Sequence, residues 1–291
     1  MEFGVTFPQT DIELDPDGIR SYGETVESVG YEHILAYDHI LGVEPPSPDW
    51  DGPYDYTDQF LEPFVLFSQL ATVTDDIDFL TGVLVLPQRE TALVAKQAAT
   101  LDALTDGRFV LGAGVGWNER EYRNLGVDFG TRGTRLVEQI ALLKRLWAND
   151  LVEFEGEYHQ VENAGINPRP DGDTIPVWLG GGADVVLRRI ARRADGWLAP
   201  TVPLSELESK VKTLRTYLED EGRDPGEVAI HARVKLGDDS PDRCLERVTR
   251  FDELGVSHVG VGTMNMGLRS SADHLDVLAD FMTDLRDTGF E

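Results

Sequence analysis

The stretch FLTGVLVLPQRETALVAKQAATLDALTDGRFVLGAGV, residues 79–115, contains one complete strand–helix–strand unit. Phe79–Leu86 is an apolar run of strand length. Leu93, Val94, Gln97, Leu101 and Leu104 then recur at helical spacing and are expected to share one buried face. Gly107, after Thr105-Asp106, is a helix stop, and Phe109–Val115 is a second strand pattern. The same alternation continues outward in both directions. Before it lie Phe3–Phe7 and His33–Tyr37; after it lie Pro176–Leu179, Trp197–Ala199, Val228–Val234 and His258–Gly262. A helical period follows each strand. Leu136, Ile140, Leu143 and Trp147 share a face in the fourth helix, and Leu204, Leu207, Val211, Leu214 and Leu218 in the sixth. Gly222 and Gly255 supply further stops. Eight strands alternating with eight helices over 291 residues match an α/β protein of the (β/α)8 TIM-barrel class, taken as a single domain over 1–291. A doubly wound open sheet is the competing α/β arrangement. The regular spacing of the units as far as the C-terminus favours the barrel.

Two spacers interrupt the regularity. Leu41–Phe60, rich in proline and acidic residues, follows the second strand. In a barrel, such a loop lies on the active-site face, so it is a candidate lid. Asn149–Ile175 separates the fourth helix from the fifth strand. It carries an alternating run from Val152 to Val161 that reads as an inserted hairpin turning at Glu155-Gly156.

Charge bounds the function classes. The chain has 53 Asp+Glu against 26 Lys+Arg, a net charge of −27, with only 5 Lys beside 21 Arg. Such a surface repels phosphate backbones, which disfavours nucleic-acid binding. It also stays hydrated where molar salt screens self-repulsion, so adaptation to a high-salt cytoplasm is one reading and an ordinary acidic enzyme the other. Mean hydropathy is −0.26, and no run approaches the roughly 18 apolar residues of a membrane span. The opening MEFGVTFPQT is a strand pattern and not a signal peptide, so a cytoplasmic location is expected. One cysteine, Cys244, and scattered histidines exclude a disulfide and make a metal site unexpected.

Three motifs carry candidate chemistry. Gly180-Gly181-Gly182, between a strand and a helix, lets backbone amides approach an anion at a helix N-terminus, which suggests a phosphate; a tight turn requiring positive φ is the plainer account. Gly112-Ala-Gly114-Val-Gly116-Trp117 is not the Rossmann pattern. Its glycines would clear room for a flat ring at a barrel mouth, or allow close strand packing. Tyr37-Asp38-His39 ends the second strand, where barrel chemistry gathers. His39 could exchange a proton with a bound ring, unless Asp38 is only a cap and His39 a loop residue. No serine nucleophile elbow is present.

Taken in order, several stretches resemble the luciferase-like monooxygenase superfamily, and most of all its deazaflavin (coenzyme F420)-dependent branch. They are Ala36–His39, Thr81–Pro87, Ala95–Asp102, Gly107–Asn118, Phe154–Tyr158, Ile175–Gly182 and Arg193–Trp197. The resemblance implies a TIM-type barrel with a flavin or deazaflavin at its C-terminal face and redox chemistry on a small organic molecule. It places a bulge with a cis peptide at Thr81-Gly82-Val83, supporting the middle ring. Asp38 and His39 would meet the cofactor's edge, Gly114 and Gly116 would line the ring, and Gly180, Gly181 and Gly182 would take the phosphate. Sugar-phosphate dehydrogenases of that branch carry a glutamate donor where this chain has Trp117, which argues against their reaction. Trp117 would instead wall the site, beneath a small, mostly apolar substrate held by the 41–60 loop.

Coenzyme F420 with hydride transfer, and His39 as the catalytic residue, is the reading adopted. FMN is the alternative cofactor, in a monooxygenase supplied by a flavin reductase. A cofactor-free structural barrel is the non-enzyme alternative. A homodimer is implied by the resemblance alone.

Overall fold

The computed structural model describes residues 1–45 and 52–290. Eight parallel strands form a closed barrel: β1 (Glu2–Thr6), β2 (His33–Ala36), β3 (Asp78–Thr81), β5 (Phe109–Gly114), β8 (Val177–Gly180), β9 (Gly196–Leu198), β10 (Ala229–Lys235) and β11 (His258–Gly262). Each pairs with its neighbour in chain order, and β11 returns to β1 through Glu2↔His258 and Val5↔Val261. Pairing of Phe79 with Phe109 and Leu80 with Val110 carries the ring past the one interruption. That interruption falls within the run expected as a single strand: Gly82 and Val83 bulge out before the short β4 (Leu84–Val85), and the Gly82–Val83 peptide is cis. The structure is thus the (β/α)8 barrel expected, with the inserted hairpin as a separate antiparallel pair, β6 (Val152–Glu155) and β7 (Gln160–Ala164).

The helices form the outer ring: α1 (Pro16–Val29), α2 (Pro63–Leu70), α3 (Thr91–Thr105), α4 (Glu119–Asn124), α5 (Arg132–Ala148), α6 (Asp184–Arg193), α7 (Leu204–Asp220), α8 (Pro241–Glu253) and α9 (Ser271–Asp287). Side-chain caps start five of them, α1, α2, α4, α8 and α9. Asp15 accepts from the Asp17 and Gly18 amides of α1, and Ser240 and Ser270 cap α8 and α9. The main apolar layer lies between barrel and helices. The expected face of α3 is corrected. Val94 and Leu101 are buried as expected, but Leu93 and Leu104 are 58% and 66% exposed, and Ala95, Ala98 and Ala99 complete the packed side. Alanines permit close approach to the barrel, so small residues outrank large ones in choosing the buried side. Val185 of α6 is likewise exposed, while Leu187, Ile190 and Ala191 are buried.

Inside the barrel, Leu35, Leu80, Trp178 and Leu198 fill the middle. Toward the N-terminal end sit His33 and His231, fully buried with their Nε2 atoms 3.1 Å apart. The His33 ring occupies space that a side chain at Gly4 would fill, since a Cβ there would lie 2.2 Å from it. Beyond these layers, the cavities lined by the barrel strands lie at the C-terminal end.

Candidate active site

The C-terminal ends of β2, β3, β5, β8, β9 and β10 surround a cleft made of two adjoining cavities of about 290 and 320 Å3. Gly82, Val83, Gly116, Pro200 and Arg233 border both, so the two are halves of one space. Its size is in the range of about 300–1,000 Å3 typical of cofactor and ligand sites.

The floor is Val83. A Cβ at Gly114 would stand 2.4 Å from Val83 Cγ2, and one at Gly180 would stand 2.4 Å from Val83 Cγ1. Two of the glycines singled out in the sequence therefore make room for the bulge side chain, on which a flat ring can lie. Gly82 is held against Leu35 in the same way. Thr81 is buried below the floor, where its hydroxyl donates to the Gly112 carbonyl at 2.7 Å. It supports the bulge without facing the cleft. Gly116 has φ of 63° and turns the chain toward Trp117.

His39 stands at the rim, in a box of rings. Phe60 lies 4.8 Å, Tyr54 5.6 Å and Trp117 5.9 Å from it between centroids. Its Nδ1 is 3.1 Å from Glu121 Oε2, and the other Glu121 oxygen accepts from the Ile40 and Leu41 amides at 2.8 and 3.1 Å. Burial pushes the Glu121 carboxyl up, but the His39 hydrogen bond and these amides outweigh it and hold it below its ordinary value. Glu121 is thus a buried carboxylate that orients the imidazole and leaves Nε2 free to point elsewhere. Sequence reasoning missed it. The available signal was local: Asn118 caps α4, with its side chain accepting from the Arg120 and Glu121 amides, and this sets Glu121 three residues on.

Asp38 lies where expected but is used differently. Its oxygens accept from Val85 N at 2.9 Å and from Arg89 Nε and Nη2 at 3.2 and 2.7 Å. Arg89 also reaches Glu62 at 2.9 Å. Asp38 borders the cleft, yet its carboxylate is spent on fixing β4 and the bulge. Trp117 is 42% exposed and forms the open wall. Of the candidate lid, Tyr54 and Phe60 pack on His39, and Arg120 donates to the Glu44 carbonyl. Residues 46–51 lie outside the described residues.

Gly180–Gly182 lead into α6, whose N-cap, Ala183, supplies no side-chain hydrogen bond. The first amides of the helix are thus left for an anion. Gly181 has φ of 122°, so the tight-turn account is also true here. Lys210, another residue missed in the sequence, donates to the Gly182 carbonyl at 2.7 Å and adds a cation beside this turn. On the opposite side, Arg233 and Lys235 of β10 border the outer cavity; Arg233 donates to the Tyr37 hydroxyl at 3.0 Å. A phosphate-bearing planar cofactor fits these residues: Gly180 and Gly181 line the inner cavity beside the uncapped start of α6, and Val83, Leu35 and Leu198 give that cavity an apolar lining.

Comparison with known proteins agrees with this geometry. Residues 1–252 match the family model for luciferase-like monooxygenases. Protein Rv0940c of Mycobacterium tuberculosis is 34% identical over 246 residues, 82% of each chain. The F420-dependent glucose-6-phosphate dehydrogenase of Kineococcus radiotolerans is 33% identical over 247 residues, 82% of this chain and 69% of that one. Among solved structures, riboflavin lyase (RcaE) with modified FMN superposes with a TM-score of 0.83 over 99% of this chain and 92% of the other, at 13% identity. The family-model match over most of the chain settles its membership: the chain belongs to the luciferase-like monooxygenase family, whose members include F420- and flavin-dependent oxidoreductases and monooxygenases.

Proposed function

We propose that the protein is an oxidoreductase that uses coenzyme F420 to exchange hydride with a small organic substrate, as a single-domain enzyme of the cytoplasm. The observation that carries this is the His39–Glu121 pair at the rim of the cleft. When bound, a deazaflavin supplies or accepts hydride at its central ring and does not activate dioxygen. This chain's residues would then do the following. Val83 supports the middle ring from below, with Gly114 and Gly116 along it. Gly180–Gly182, the α6 amides and Lys210 hold the phosphate. His39 moves the proton that accompanies hydride, with Glu121 stabilising the charged imidazole. Trp117, Tyr54 and Phe60 keep water from the reacting face. Asp38 acts through Arg89 and Val85 as a positioning residue.

The F420-dependent relative from Kineococcus supports the cofactor choice across four-fifths of this chain. FMN is the second reading, supported by the flavin-associated structural neighbour; it would make the enzyme a monooxygenase served by a separate reductase. The test is fluorescence quenching of the purified protein with each cofactor, followed by anaerobic turnover with reduced F420. His39→Ala should slow that turnover about 10²-fold while cofactor affinity changes little. Activity confined to air and reduced FMN would move the protein to the monooxygenase reading. Assembly as a homodimer is part of the proposal and is checked by light scattering.

A further inference from the structure

Among the described residues, Arg233 makes no ion pair, in a chain where acids outnumber bases two to one. Its guanidinium borders both halves of the cleft and spends one N–H on the Tyr37 hydroxyl at 3.0 Å. Lys235, two residues along the same strand, borders the outer half, with only Asp238 near it at 3.7 Å. A guanidinium carries five donors in a planar fork. One bond to a phenol leaves most of them for other partners. Burial holds the Tyr54 phenol well above its ordinary value, so that hydroxyl stays a donor as well. Arg233, Lys235, Tyr37 and Tyr54 also line a second, small cavity of about 20 Å3. The planar fork of a guanidinium matches a carboxylate, which it can hold through two parallel hydrogen bonds.

We propose that Arg233 and Lys235, with the Tyr37 and Tyr54 hydroxyls, form a subsite for the carboxylate of a small organic acid. The substrate of the proposed oxidoreductase is then an organic acid and not the mostly apolar molecule the sequence suggested; this refinement rests on the functional reading above. The rings connect the subsite to the chemistry. Tyr54 lies 6.5 Å from Tyr37 and 5.6 Å from His39, so it spans the distance between anion and proton donor. A carboxylate held by Arg233 would direct the rest of the molecule across Val83 toward His39. Acids near the subsite, Asp11 and Asp58, act on Tyr54 and do not pair with Arg233.

The probe is benzoate, compared with neutral benzamide of the same shape, titrated calorimetrically into the protein at fixed KCl. Cofactor affinity is measured in parallel by fluorescence quenching. Benzoate should bind at least about tenfold more tightly than benzamide, as expected for hydrogen bonds to a charged group. Arg233→Gln should erase that preference, with cofactor affinity held within about twofold and the melting temperature unchanged. Retained preference in Arg233→Gln, or no preference in the unaltered protein, overturns the proposal. So does a variant that loses cofactor instead, since Arg233 would then serve the ring. Tighter binding of phenyl phosphate than benzoate would also overturn it in favour of a phosphate site. Because benzoate binding needs no turnover, a failure of the F420 reading shows separately, as absent quenching with benzoate preference intact.

Discussion

Alanine at Gly114 should collide with Val83, and the collision should vanish when Val83 is itself shortened. The new Cβ would lie 2.4 Å from Val83 Cγ2 and 3.2 Å from Val83 Cβ. Optimal carbon–carbon separation is about 3.5–4.0 Å, so the first contact is far too close and the second needs only a slight shift. Gly114 does not have positive φ. Its replacement therefore meets no backbone penalty and even gains roughly 0.5–1 kcal/mol from reduced chain entropy. Overpacking remains and should dominate, at about 1–3 kcal/mol. Val83→Ala removes Cγ2, the methyl that collides, and leaves only the slight crowding at Cβ. Val83 is only half-buried, so at about 0.8 kcal/mol per fully buried methylene its loss should cost about 1 kcal/mol. In the double variant Gly114→Ala should then cost almost nothing, a coupling of about 1–2 kcal/mol. Urea unfolding of the four proteins in molar KCl measures this from midpoints at constant slope. Cofactor affinity should follow the same pattern, because a displaced Val83 tilts the floor. If the two substitutions add within about 0.5 kcal/mol, the glycine does not make room for Val83 and the account of the floor is wrong.

Burial, reinforced by His258, pushes His33 down to about 3, and His231 lies well below its ordinary value for similar reasons. The unfolded chain binds these protons near pH 6.5 and the folded one does not. Stability should therefore be full above that pH and fall as pH drops toward 3, by about 1.4 kcal/mol per unit for each proton; a flat urea midpoint between pH 7 and 5 would contradict it. Glu121→Gln keeps an acceptor for the Ile40 and Leu41 amides but removes the charge facing His39. It should lower anaerobic kcat about tenfold, or about 1.4 kcal/mol, with cofactor affinity unchanged, and an unaltered kcat would remove Glu121 from the site. With a net charge of −27, the melting temperature should climb steeply from low to molar KCl as screening relieves self-repulsion. A salt-independent melt would return the acidity to that of an ordinary enzyme.

Strand and helix order, the inserted hairpin and the stretches that surround the cleft were legible in the chain, because each rests on a local signal. Periods of 2 and 3.6, glycine at strand ends and turn residues act within a few positions of one another. The placement of Tyr37-Asp38-His39 at a strand's C-terminal end was readable for the same reason. What those residues do was not. Glu121 meets His39 across 82 residues, Arg233 meets Tyr37 across 196, and His33 meets His231 across 198. Only closure of the barrel brings such pairs together, and it decided that Asp38 serves Arg89 while Glu121 serves His39. Closure also decided which side of α3 is buried, since alanines that pack closely displaced leucines that periodicity preferred. The glycines show both levels at once. Their positions were plain in the sequence, but the side chain for which Gly114 and Gly180 clear space, Val83, comes from the bulge after β3 and is known only from the folded ring.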